Sequence, residues 1–182
     1  MTDKTEVIFV AGRRGSGKSY FTNQFVKMLD RVIMFDPFGE YDLTPVDDLD
    51  NVPDDEGLDL NRISYRPQYL DYDAFDAFCA RMMHVKNTYV GFDELNLFTS
   101  NYIRQDNFDR LVRTSRRNGT SIIGITQRPT GAPAIILSQS SRLFLFHLHS
   151  PLDLKPLRHY LTDEEIERIT RLEVGKYIEK VV

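Results

Sequence analysis

Short apolar runs alternate with amphipathic segments along the whole chain. Apolar runs typical of buried strands cover residues 6–11, 32–35, 62–65, 88–92, 121–125, 142–147 and 176–182. Apolar residues recur at helical spacing over residues 20–29, 72–85, 108–118, 153–160 and 162–172. This alternation predicts an α/β fold, a three-layer sandwich with a mainly parallel central sheet. No internal repeat or linker interrupts the pattern, so we expect a single domain over residues 1–182.

The most informative stretch is Gly12-Arg13-Arg14-Gly15-Ser16-Gly17-Lys18-Ser19, which matches the phosphate-binding loop (P-loop, Walker A) pattern G-x-x-x-x-G-K-S/T. It follows an apolar strand and precedes a helical segment, which is the order that the motif requires. Glycines let backbone N–H groups turn toward a polyphosphate, and the positive end of the helix adds to the attraction. Lys18 then reaches the β and γ phosphates, and Ser19 ligates Mg²⁺. We expect a bound nucleotide and Mg²⁺, with nucleotide contacts from Gly12, Gly15, Ser16, Gly17, Lys18, Ser19 and Tyr20.

Two neighbouring carboxylates, Asp93 and Glu94, follow the apolar run at residues 88–92. Successive side chains at a strand end point in different directions, so Asp93 is placed to hold Mg²⁺ while Glu94 orients a water molecule at the γ-phosphate. Alone, such a pair is ordinary surface polarity, but downstream of a P-loop it indicates the Walker B half of an ATPase. Gln127 ends the next apolar run, where a γ-phosphate sensor lies in a parallel sheet, although a capping or turn role is the alternative.

The charge is distributed unevenly. A net charge of −4 argues weakly against nucleic-acid binding. However, residues 36–59 hold ten Asp or Glu and no Lys or Arg, whereas residues 103–128 hold six Arg and two Asp. Residues 44–59 are acidic and contain two prolines, which predicts a solvated surface segment. Arg113, Arg116 and Arg117 cluster at the end of a predicted helix, a position that also suits cations because of the helix dipole.

Four segments together resemble the HerA/FtsK superfamily of DNA-pumping P-loop ATPases, an ASCE/RecA-like group. They are residues 12–19, Asp36-Pro37-Phe38-Gly39-Glu40-Tyr41, Phe92-Asp93-Glu94, and Arg116-Arg117-Asn118-Gly119 followed by Thr126-Gln127-Arg128-Pro129. The tail is similar as well, with residues 138–147 leading to Asp153-Leu154 and then Leu172-x-x-Gly175. The resemblance therefore covers nearly the whole chain, and the turn at residues 36–41 is its most discriminating segment.

The resemblance implies a strand order and an assembly. In that superfamily the glutamine strand lies between the strands of the P-loop and the acidic pair, and six subunits form a ring. The first arginine of the R-R/K-x-G run acts as a finger on the neighbour's ATP, which is Arg116 here. The connection between the acidic pair and the arginine helix faces the channel, so Arg104 is the expected contact with DNA phosphates. Glu40, close to the end of the second strand, is a further carboxylate expected to face the site.

The chain also departs from the cellular members of the superfamily, which usually carry an N-terminal barrel, a membrane segment or a DNA-reading module. It starts five residues before its first predicted strand and ends with its last. It therefore looks most like the genome-packaging ATPases of tailless, internal-membrane viruses. We expect a cytoplasmic protein that does not insert into a membrane, located in the host cytoplasm or with the virion if viral, with a capsid or membrane vertex protein as partner. A single cysteine, Cys79, agrees with a reducing compartment.

The expected activity is ATP hydrolysis coupled to movement of double-stranded DNA, in a viral genome-packaging motor. A cellular or plasmid HerA/FtsK-like translocase or helicase is the nearest alternative. A nucleotide or small-molecule kinase would need an arginine-rich lid and an acceptor pocket. A nucleotide-gated assembly protein is a non-enzymatic alternative, and the intact Asp93-Glu94 pair argues against it.

Overall fold

The computed structural model describes residues 5–52 and 62–182. Within that part of the chain, eight strands form one sheet in the order β3-β4-β2-β5-β6-β1-β7-β8. They are β1 (Val7–Ala11), β2 (Val32–Phe35), β3 (Thr44–Val46), β4 (Arg62–Tyr65), β5 (Tyr89–Phe92), β6 (Ser121–Thr126), β7 (Arg142–Leu145) and β8 (Ile178–Val181). Strands β1 to β7 run parallel, and β8 pairs antiparallel with β7. The parallel strands therefore share one carboxyl edge and one amino edge, the terms used below for the two ends of the sheet.

Short helices connect the strands. They are α1 (Lys18–Lys27), α2 (Tyr72–Met82), α3 (Leu95–Phe98), α4 (Asp106–Thr114), α5 (Ala134–Gln139), α6 (Pro151–Leu154) and α7 (Asp163–Ile169). Single 3₁₀ turns cover Leu49–Asn51, Ser115–Asn118, Pro129–Gly131 and Lys155–His159. No helix among the described residues is long and apolar enough to cross a membrane.

Alternate side chains of β1 face two separate apolar clusters. Ile8 and Val10 pack with α1 on one face of the sheet, whereas Phe9 and Ala11 pack with residues of α2, α4, α5 and α7 on the other. Covering both faces buries every side of the central strands, which is why they appear in the sequence as continuous apolar runs. The predicted three-layer α/β fold with a mainly parallel sheet is confirmed.

The acidic segment at residues 44–59 is predicted to be a solvated surface segment, and its start is an exposed strand that the sequence analysis did not predict. Thr44–Val46 forms β3, which pairs in parallel with β4, and a 3₁₀ turn follows at Leu49–Asn51. Pro45 is tolerated because β3 is an edge strand, where a missing N–H costs no ladder hydrogen bond. Residues 53–59 of the segment lie outside the described part of the chain.

Three connections also differ from the predicted pattern. The helix expected over residues 108–118 is α4 followed by the 3₁₀ turn Ser115–Asn118, which ends at Gly119 with a φ of 66°. The connection between the acidic pair and the arginine helix begins with α3, and neither α3 nor α5 was predicted. Both missed helices are too short to show a helical period, and burial of their apolar residues against the sheet holds them.

Candidate active site

The P-loop, the acidic pair and Gln127 meet at the carboxyl edge of the sheet. They follow β1, β5 and β6, and β6 pairs in parallel with both β1 and β5. The predicted order, with the glutamine strand between the other two, is therefore confirmed. Ligands of open parallel sheets bind at this edge, because the strands deliver their following loops to it.

Close packing holds the P-loop in shape. A Cβ added to Gly12 would lie 2.5 Å from Phe146 Cβ and 2.8 Å from Ser16 Oγ, so no side chain fits there. Gly17 has a φ of 99°, and its added Cβ would lie 2.9 Å from Gly175 Cα. The amide of Gly175 donates a hydrogen bond of 2.9 Å to the Ser16 carbonyl. The turn before β8 therefore packs against the P-loop on the side of β1 that is opposite β6.

Lys18 lies buried at the first position of α1. Its ammonium donates a hydrogen bond of 3.1 Å to the Arg13 carbonyl, so the side chain curls back over the loop. Burial lowers the pKa of Lys18, while the nearby carboxylates of Glu94, Asp93 and Glu40 act in the opposite direction. Three of the predicted site carboxylates therefore surround the predicted phosphate-binding lysine.

The other residues predicted to contact nucleotide line the outside of the same loop and the first turn of α1. Gly15, Ser19 and Tyr20 are exposed, so their backbone and side chains are accessible to a ligand. Ser16 is buried, and its hydroxyl has no hydrogen-bond partner among the described residues.

Asp93 is buried beside a phenol that the sequence did not single out. Burial, together with Glu94 and Glu40, raises the pKa of Asp93 to about 7. Burial also raises the pKa of Tyr41 well above its usual value, and the Asp93 charge adds to this effect. The Tyr41 hydroxyl and the Asp93 carboxylate lie close enough to interact, and within residues 5–52 and 62–182 neither Asp93 Oδ2 nor the Tyr41 hydroxyl has another hydrogen-bond partner. A buried carboxylate oxygen is the kind of oxygen ligand that Mg²⁺ prefers, and Ser19, the residue after Lys18, is exposed.

This raised pKa predicts that Asp93→Asn stabilises the protein in the absence of nucleotide and Mg²⁺. The folded state binds the Asp93 proton more tightly than the unfolded state, so ionisation destabilises the fold increasingly as the pH rises from about 4 to 7. Removing the charge should raise the free energy of unfolding at pH 8 by up to about 4 kcal/mol, with a smaller gain at pH 5. Urea unfolding in a chelating buffer at both pH values measures the gain. Asp42→Asn, at an exposed carboxylate whose pKa Lys27 lowers, should give no gain and serves as the control.

The turn at residues 36–41 is built around the buried carboxylate of Asp36. Its oxygens accept hydrogen bonds from the amide of Glu40 at 2.8 Å, the amide of Tyr41 at 3.2 Å and the hydroxyl of Ser64 at 2.6 Å. Gly39 adopts a φ of 69°, which reverses the chain inside the turn. This arrangement brings Tyr41 against Asp93 and Glu40 toward Lys18, so the turn contributes side chains to the site.

Gln127 and Glu94 contact each other across 33 residues of sequence. The Gln127 amide donates a hydrogen bond to Glu94 Oε1, and Glu94 itself has left-handed backbone angles at the start of α3. The neighbouring Thr126 hydroxyl donates to Asn96 Oδ1 at 2.7 Å, which fixes α3 to the end of β6. Two side-chain hydrogen bonds therefore join the end of β6 to the start of α3, which follows β5, beside the P-loop.

Arg116 and Arg104 lie away from these residues. Arg116 is exposed in the 3₁₀ turn Ser115–Asn118 at the amino edge, where it lines a cavity of about 170 Å³ with Glu6 and Arg113. The length of a strand, about 15 Å, separates that edge from the P-loop. Arg104 is exposed between α3 and α4 and pairs with Asp109 at 3.1 Å. The structure thus brings together Lys18, Glu40, Asp93, Glu94 and Gln127, and places the two arginines elsewhere.

This mainly parallel sheet, with a P-loop at its carboxyl edge, is a P-loop NTPase fold. The chain is similar to the genome packaging NTPase B204 from Sulfolobus turreted icosahedral virus 2 in complex with AMPPCP, with a TM-score of 0.80 and 18% identity over 98% of this chain and 93% of that one. It is also similar to VirB4 of Thermoanaerobacter pseudethanolicus, with a TM-score of 0.67 and 12% identity over 100% and 88% of the two chains. At these identities the likeness shows the fold, and it confirms the predicted resemblance at that level. No family model and no curated protein matches the sequence.

Proposed function

We propose that the chain hydrolyses ATP and couples hydrolysis to the movement of double-stranded DNA, in the packaging of a viral genome. The observation that carries the proposal is the convergence of Lys18, Asp93, Glu94 and Gln127 on one P-loop. The similar B204 structure is named a genome packaging NTPase and contains an ATP analogue, which supports the same reading here.

Each residue has a separate task in this proposal. Backbone N–H groups of the P-loop and the Lys18 ammonium hold the phosphates of ATP and offset their charge. Glu94 orients the attacking water and accepts its proton, while Gln127 keeps the Glu94 carboxylate in place through the hydrogen bond that it donates. Asp93 and Ser19 would hold Mg²⁺, which neutralises charge on the phosphates when bound. Glu40 adds a negative charge beside Lys18 and Asp93.

The proposed assembly is a homo-oligomeric ring, hexameric by resemblance to the superfamily. Arg116 lies at the amino edge, too far from its own P-loop to contact the nucleotide held there. An arginine finger supplied to an adjacent subunit is compatible with that position.

Phosphate release, measured with and without long duplex DNA, tests the proposed function. We expect release that requires Mg²⁺ and rises when duplex DNA is added. Turnover that depends instead on a small acceptor would indicate a kinase, and nucleotide binding without release would indicate a nucleotide-gated assembly protein.

Arg104 is the proposed contact with the DNA backbone, and Arg104→Ala should weaken duplex binding. One phosphate contact corresponds to a slope of about −0.9 in log affinity against log salt concentration, so the slope should become shallower by about that amount. Arg158→Ala is a matched control, because Arg158 is also exposed and pairs with an aspartate five residues later, Asp163. If Arg104→Ala changes neither affinity nor slope relative to this control, Arg104 does not contact DNA.

A further inference from the structure

An arginine-lined cleft of about 220 Å³ lies beside the P-loop at the carboxyl edge. Its lining includes Arg13 and Arg14 of the loop, Gln127 and Arg128 from the end of β6, and Asp153 of α6. Three guanidinium groups and one carboxylate line the cleft, so its net charge is positive, and the hydrogen bond from Gln127 to Glu94 connects it to the acidic pair. The proposed function assigns a task to Gln127 but none to Arg128 or Asp153.

Asp153 is the buried member of an ion pair in this cleft. The residue is 3% exposed, and its two carboxylate oxygens lie 3.1 and 3.0 Å from Arg128 Nε. A carboxylate buried to this extent requires a cation, because an unpaired buried charge costs several kcal/mol. Among the described residues, Arg128 is the cation within ion-pair distance of Asp153.

Asp153 uses only the Nε donor of the Arg128 guanidinium. Nε makes both interactions with Asp153, whereas the four N–H donors of Nη1 and Nη2 have no hydrogen-bond partner within residues 5–52 and 62–182. The side chain of Arg128 is 57% exposed, so these donors are accessible from the cleft. The planar arginine fork can donate to two anions at once, which a lysine ammonium at the same place does not do with fixed geometry.

We propose that Arg128 binds the terminal phosphate of the nucleotide held by its own subunit, and that Asp153 is the positioning residue that orients Arg128 for this contact. The inference rests on the proposed function, since it requires a nucleotide on the P-loop. Arg128 lies next to the residues at the start of the loop and next to Gln127, whereas Ser19 and Tyr20 lie at the other end of the loop. This position places Arg128 at the γ-phosphate end of the nucleotide. Unlike Arg116, it stands on the same edge as the P-loop and acts within its own subunit.

A purely structural role for the pair makes a different prediction. The ion pair also joins the 3₁₀ turn Pro129–Gly131, which follows Arg128, to α6. If it served only to hold these elements together, breaking it would lower the stability of the fold and weaken the binding of ATP and ADP alike. A contact with the terminal phosphate instead weakens binding of the triphosphate alone.

The test is the ratio of dissociation constants for ADP and ATPγS, measured by titration calorimetry in the presence of Mg²⁺. We expect Arg128→Lys and Asp153→Asn each to lower the affinity for ATPγS by about tenfold or more, the range of a charge-assisted hydrogen bond, and to leave that for ADP within about twofold. Arg128→Lys keeps the positive charge and an ion-pair partner for Asp153, so it remains informative even if Asp153→Asn is poorly folded. Arg142→Lys is the matched control, because Arg142 is partly buried, pairs with Glu6 and Glu179, and lies at the amino edge.

Each outcome bears on the inference in a distinct way. An unchanged ratio in Arg128→Lys, with the wild-type protein binding both nucleotides, overturns the role of Arg128 and leaves the proposed function intact. Parallel loss of ADP and ATPγS binding, with a lower melting temperature, assigns the pair a structural role and also overturns it. If the wild-type protein binds neither nucleotide, the proposed function and this inference fail together.

Discussion

Glu94→Gln is expected to keep ATP binding and to lose turnover by about a hundredfold or more, the contribution of a general base. The substitution removes the proton acceptor but keeps a carbonyl oxygen that can accept the Gln127 hydrogen bond, so the local structure should persist. Lys18→Ala is expected to abolish ATP binding itself, since Lys18 contacts ground-state phosphates. Nucleotide titration followed by single-turnover phosphate release separates the two effects.

Glu167→Gln provides the control for these variants. Glu167 is an exposed carboxylate of α7 that pairs with Arg171, and its loss should change neither binding nor turnover. A Glu94→Gln protein that hydrolyses ATP near the wild-type rate would remove Glu94 from its proposed role, whatever the effect of Lys18→Ala.

Arg116→Ala should lower turnover by about a thousandfold, the effect of losing an arginine finger, without weakening ATP binding by the isolated chain. The same variant should regain activity when mixed with Lys18→Ala. Alone, the Arg116→Ala protein lacks the finger, and the Lys18→Ala protein lacks bound nucleotide. In rings that assemble at random from an equimolar mixture, roughly a quarter of the head-to-tail interfaces combine an intact P-loop with an intact Arg116. Phosphate release across a series of mixing ratios measures the recovery.

Arg117→Ala is the neighbouring control. Arg117 is exposed in the same 3₁₀ turn but does not line the amino-edge cavity that contains Arg113 and Arg116. It should therefore leave turnover unchanged. Normal hydrolysis by a monomeric Arg116→Ala protein, together with no gain on mixing, would exclude both the finger and the ring.

The parts of the fold that sequence analysis predicted are those with a local signal. The buried strands appear as apolar runs because both of their faces are covered, and the P-loop has fixed spacing because backbone geometry demands glycine at Gly12 and Gly17. By contrast, α3, α5 and β3 are each six residues or shorter, and packing against the sheet decides their conformation.

The residues of the site divide in the same way, into those with a local sequence signal and those without one. Lys18, Asp93, Glu94 and Gln127 lie directly after strands or in a motif, so the strand order that the resemblance implied was enough to predict that they meet. Tyr41 reaches Asp93 because the Asp36 carboxylate folds the intervening turn. Of the residues in this turn, the sequence analysis predicted that Glu40, and not Tyr41, faces the site. The Arg128–Asp153 pair joins residues 25 apart on different elements, and no local pattern connects them.

The position of Arg116 and the P-loop on opposite edges of the sheet limits the symmetry of any assembly that uses both. In a two-fold dimer the same patch meets itself, so one patch would have to contain the finger and the P-loop together. A head-to-tail contact, in which the amino edge of one subunit faces the carboxyl edge of the next, needs no such shared patch. Such a heterologous contact repeats around a closed ring or continues as an open helix. In a closed ring every interface forms one complete catalytic centre, whereas an open chain of subunits would leave one P-loop at its end without a partner.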